Sequence, residues 1–139
     1  MCFSAQASLL AGTGLTAVGF VSIRQARTLP SDRLFATIPT VFAAHQLIEA
    51  AIWIALPQVP KPPHTPLLSY AFTFVAFCLW PVLVPFSVFK IEQQPGRKRF
   101  LFWSCVIGGI VATFFLVCLI VNPPNAQIVK HSIRYRMHY

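Results

Sequence analysis

Four long apolar runs constrain this chain more than any other feature. They cover residues 5–23, 34–56, 67–89 and 100–121. Each is close to the roughly 20 residues a helix needs to cross a ~30 Å hydrocarbon core. In lipid, every backbone N–H and C=O must be satisfied within the protein, and a helix does this inside one segment. The runs therefore predict an all-α fold: a polytopic transmembrane helix bundle of about four helices. It forms a single domain over residues 1–139, with a tail at residues 122–139. Charge supports this reading. Only 10% of the residues are charged, against about 25% in a soluble domain. So few charges do not cover a water-soluble surface.

The net charge is +8, from eleven Lys and Arg against three acids. Its placement matters more than its size. Arg24, Arg27 and Arg33 stand between the first two runs, and Lys90, Arg97, Lys98 and Arg99 between the third and fourth. The second connection, residues 57–66, has Lys61 as its only charge. Basic residues so placed anchor helices and set orientation. They argue for membrane lipid, and against nucleic acid, as the partner of the basic surface. The rule that basic loops stay inside puts the first and third connections in the cytoplasm. The N-terminus, the second connection and the tail then lie outside, although Lys130, Arg134 and Arg136 in the tail count against that orientation.

Other features shape the helices. Ser4, Ser8, Gly12 and Thr16 recur every four residues and predict a small-residue seam, with the second helix as neighbour. Trp80-Pro81 and Pro85 interrupt the third run. Each proline removes a backbone donor and crowds the preceding turn, so a bend and a small cavity beside Phe77 are expected. The proline-rich second connection predicts a stiff, extended segment. Cys78, Cys105 and Cys118 lie inside apolar runs and fit small apolar packing residues. Their spacing gives no disulfide framework and no zinc finger.

Glu49 is the strongest sign of chemistry. It lies about 10 Å from the end of its run at ~1.5 Å per residue. A charged residue at the centre of such a helix costs about 2.5–3.5 kcal/mol on insertion scales. Residues of this kind face the bundle interior and have partners. His45 and Trp53 share its helix face, four residues to either side, and Gln46 lies beside it. A helix-to-helix hydrogen bond from a protonated Glu49 is the structural alternative to a functional role.

Cys2 adds a second donor. After removal of Met1 it would present an α-amine and a thiol, which together chelate one metal. His131, in the tail, returns to the same side. If the fourth helix ends outside, Cys2, Glu49 and His131 can converge, with His45 deeper. An ordinary buried or lipid-bearing thiol at Cys2, and a basic tail that binds lipid head groups, are the plain alternatives. Thiolate, carboxylate and imidazole suit a transition metal: zinc, copper or iron. No phosphate-binding loop, dinucleotide fingerprint, zinc-protease helix or serine elbow is present. Asp32, Glu49 and Glu92 are the only acids. The sequence does not decide whether the chain is an enzyme.

The opening Met-Cys-Phe-Ser-Ala resembles that of an uncharacterised family of multi-helix bacterial membrane proteins. Also similar are Gln46-Leu-Ile-Glu49 with Trp53, Leu79-Trp80-Pro81 with Pro85, and His131 followed by Tyr135. The resemblance implies that Cys2, Gln46, Glu49, Trp53, Trp80, Pro81, His131 and Tyr135 belong to the family pattern. It implies no activity. Relatives are expected to carry other residues at His45 and more apolar sequence after the histidine element. Three readings follow. The first is an integral membrane protein with an intramembrane metal or polar site. The second is a non-catalytic accessory subunit of a larger membrane complex, or a homo-oligomer. The third is a transporter or proton conductor using Glu49.

Overall fold

The computed structural model describes residues 4–26, 32–129 and 132–136. Helix α1 spans Ala5–Gln25, and its N-cap Ser4 accepts a hydrogen bond from the Ala7 N–H at 3.2 Å. That bond satisfies one of the donors left open at a helix start. Helices α2 (Arg33–Ala36) and α3 (Ile38–Ala55) form one span. They part at Thr37, where Pro39 has no N–H to continue the ladder. Helix α4 (Thr65–Phe74), a π-helical turn (Val75–Leu79) and α5 (Trp80–Ile91) form the third span. Helix α6 runs from Pro95 to Val121. All four spans are long and apolar enough to cross a membrane.

Their outer surfaces are apolar. Leu10 is 75% exposed, Leu67 71%, Phe100 73% and Ile110 65%. A water-soluble monomer rarely shows a contiguous apolar surface of this extent. Three of the buried hydroxyls suit the same setting. Ser69 donates to the Thr65 carbonyl, Thr73 to the Ser69 carbonyl and Ser87 to the Val84 carbonyl. Each is satisfied within its own helix, without water.

The first seam packs α1 against α3, as the spacing suggests. A Cβ on Gly12 would come within 2.8 Å of the Leu47 side chain, and one on Gly19 would strike Thr40. Ser8, Gly12 and Gly19 are buried, but Thr16 is exposed. Steps of four residues drift around a helix of ~3.6 residues per turn. The contact line therefore runs to Gly19 and leaves Thr16 outside it.

The structure differs from the sequence reading at two further places. Helix α6 starts at Pro95 rather than at residue 100, so Arg97, Lys98 and Arg99 ride on its first turns. Proline is well tolerated there, because the first N–H groups of a helix have no partner in it. Residues 125–129 and 132–136 are also more than a tail. Strands β1 (Asn125–Val129) and β2 (Ser132–Arg136) form an antiparallel pair, with Ala126 opposite Tyr135 and Ile128 opposite Ile133. Residues directly opposite share one face. That face, through Ala126, Ile133 and Tyr135, packs on Ile52, Leu56 and Phe72 at one end of the bundle. Every other element among the described residues is helical.

Candidate functional site

The docked hairpin and the broken third span enclose the surroundings of Glu49. Pro81 has no N–H, and the turn before it widens: Trp80 N–H bonds the Val75 carbonyl, five residues back. Such π turns recur at functional sites. Phe72, Ala76 and Trp80 from this span, Gln46 and Glu49 from α3, and Tyr135 from β2 line one cavity of about 310 Å³. His45 lines it too.

Glu49 is 3% exposed, and His45 and Gln46 are each 8% exposed. His45 packs its ring on Phe72, with centroids 4.2 Å apart, and Phe72 stacks on Tyr135 at 5.2 Å. Trp80 Nε1 donates to His45 Nδ1 across 3.4 Å. An indole N–H only donates, so Nδ1 holds the lone pair in this contact. The neutral ring then carries its proton on Nε2. Nε2 is buried and has no hydrogen-bond partner among the described residues, and the same holds for Tyr135 Oη and Trp53 Nε1. Burial pushes the Tyr135 phenol up from its ordinary pKa, and the Glu49 carboxylate adds to the shift. The site therefore holds one buried acid, aromatic walls and two neutral polar atoms in want of partners.

Of the four expected site residues, two lie among the described residues. Glu49 and His45 come together in the cavity. Cys2 and His131 lie outside the described residues, so their place relative to Glu49 is not described. Among the described residues no group of three or more His, Cys, Asp or Glu side chains is placed to hold a metal. Metal binding by His45 Nε2 would require its proton to move and the Trp80 contact to be given up, since a ligating histidine donates from its other nitrogen. Trp53 falls beside the cavity, against the Ile52 cluster. Phe72 carried no sequence signal. Trp80 stands in the proline break and in the family pattern, and Tyr135 in the donor-bearing tail and the same pattern.

Fold and site together define a class: a helical bundle with four candidate membrane spans and a buried acidic cavity under a C-terminal hairpin. The chain belongs to a family of unknown function, DUF6629, whose match covers residues 1–139. No curated protein and no solved structure matches it.

Proposed function

We propose that the chain is an integral membrane protein that binds a ligand in the cavity beside Glu49, with the N-terminus and the hairpin end outside. The burial of Glu49 supports this reading most directly. A carboxyl group is held at depth, at the wall of an open space, next to polar atoms without partners. Burying polar groups costs free energy unless they are paired. Buried atoms left unpaired beside a cavity of about 310 Å³, at the lower end of ligand-pocket size, support a binding site.

A transition-metal centre is the second reading. The observation favouring it is the pairing of Glu49 with His45 on one cavity wall. Such a centre would rest on Glu49 together with Cys2 and His131. Elemental analysis and native mass spectrometry of detergent-purified protein separate the readings. A retained small molecule lost in Glu49→Gln, with helicity unchanged, supports the ligand site. Stoichiometric metal lost in Glu49→Gln and Cys2→Ser supports the metal centre. A bare wild-type chain that co-purifies with larger membrane proteins would overturn both and leave an accessory subunit. Labelling of a cysteine placed at Lys61 tests orientation. Reaction only from the cytoplasmic face would reverse it.

A further inference from the structure

We infer that the cavity takes a neutral, membrane-dissolved ring bearing a carbonyl oxygen, a compound of the quinone class. The inference rests on the ligand-site reading above and adds the chemistry of the ligand.

The route of entry points to a lipid-soluble compound. Phe42 and Phe77 line the cavity, yet they are 42% and 36% exposed on the outer faces of their spans. Both stand near the middle of a membrane-spanning segment. The opening between them therefore faces hydrocarbon and not water. The walls select shape. Phe42, Phe72, Phe77, Trp80 and Tyr135 surround the space with ring faces and edges. Aromatic rings prefer offset-stacked or edge-on partners, so a planar group fits there.

The polar atoms select the functional group. His45 Nε2 carries a proton because Nδ1 accepts from Trp80. Tyr135 Oη is a phenol. Both are buried without a well-formed hydrogen bond among the described residues, although the His45 ring also approaches the Phe72 backbone carbonyl, and both donate. Two donors call for an acceptor oxygen. A cation offers none. An anion finds no Lys or Arg in the lining to pair with. A neutral carbonyl meets both donors and needs no counter-charge.

The test uses the full chain in detergent micelles, titrated with a decyl-substituted benzoquinone. Quinones quench indole fluorescence, and Trp80 lines the cavity. The expected result is saturable quenching that is mostly lost in Trp80→Phe. Tyr135→Phe keeps the ring and removes one donor, so Kd should rise about fivefold to tenfold, the effect of one ordinary hydrogen bond. His45→Leu should act similarly where it folds. Dodecanoic acid, which offers a carboxylate on a comparable tail, should not compete. Quenching that rises linearly and equally in wild type and Tyr135→Phe is collision within the micelle and overturns the inference. So does tight binding of dodecanoic acid. If the quinone fails while Glu49→Gln still strips a co-purified molecule, the ligand site stands and its assigned chemistry falls. If neither variant changes anything, both fall.

Discussion

Gly108 of α6 lies against the carbonyl of Pro81 in α5, so closely that a Cβ at position 108 would fall on the oxygen. The reason is in the sequence of α5. The residue that would donate to that carbonyl in an α-helix is Pro85, which has no N–H. The unclaimed oxygen turns to the Cα–H face of a glycine, a weak but recurrent contact between membrane helices. Gly109, one residue on, has nothing within 4 Å of its would-be Cβ.

These neighbours make a paired prediction. Gly108→Ala should destabilise the protein by about 1–3 kcal/mol, the range for overpacking. Gly109→Ala should be neutral or slightly stabilising, because alanine is the better helix former. Thermal unfolding in detergent measures both. Equal effects would show that the two helices do not meet at Gly108.

A second cross-helix contact ties the end of α6. The Tyr70 hydroxyl donates to the Leu119 carbonyl. Leu119 is in the last turn of α6, where carbonyls have no helical donor, and the residue four further on is Pro123. Tyr70→Phe should cost about 1 kcal/mol, as for one hydrogen bond. A loss within error would mean that another donor replaces the hydroxyl.

The bundle was legible because its signal is long. Four apolar runs near bilayer length admit few other folds, and Glu49 stands out against them. The hairpin was not. Ile133 and Tyr135 alternate with Ser132 and Arg134, but five residues of period two are a weak signal beside three basic side chains. The cavity depended on that hairpin, since Tyr135 reaches Glu49 only once β2 folds back on the bundle end. The proline break was legible as an interruption. Its form, a π turn that places Trp80 beside His45, depends on packing and is not written in Trp80-Pro81 alone.

Acid should weaken the start of α6 through Glu92. Its carboxylate accepts from the Gln94 N–H at 2.9 Å and the Gln93 N–H at 3.0 Å, with Arg97 at 3.8 Å. The Gln94 bond has the largest effect; together with Arg97 and the Gln93 bond it outweighs the opposing effect of burial and lowers the pKa. A carboxyl lowered on folding stabilises the native state above its unfolded pKa, near 4.5. The contribution fades as pH falls through the lower, folded value. The acid branch of the stability curve should therefore be flatter in Glu92→Gln. Identical branches would show that the carboxylate does nothing for the folded state.

Alkali should act through Tyr135. Its phenol has an ordinary pKa of 10.0, raised in the fold by burial and then by the Glu49 charge. Between the unfolded and folded values the native state holds a proton that the unfolded state has lost. Stability then falls with rising pH in that window, beginning near pH 10. Two variants divide the causes. Tyr135→Phe should remove this part of the alkaline slope. At neutral pH, with no ligand, it should cost little, because the deleted hydroxyl has no partner among the described residues. Glu49→Gln should leave the burial effect and remove only the charge, so the ultraviolet titration of Tyr135 should shift down toward its ordinary value. A Tyr135 signal that titrates with exposed tyrosines in the wild type would mean that β2 does not hold the ring against Phe72.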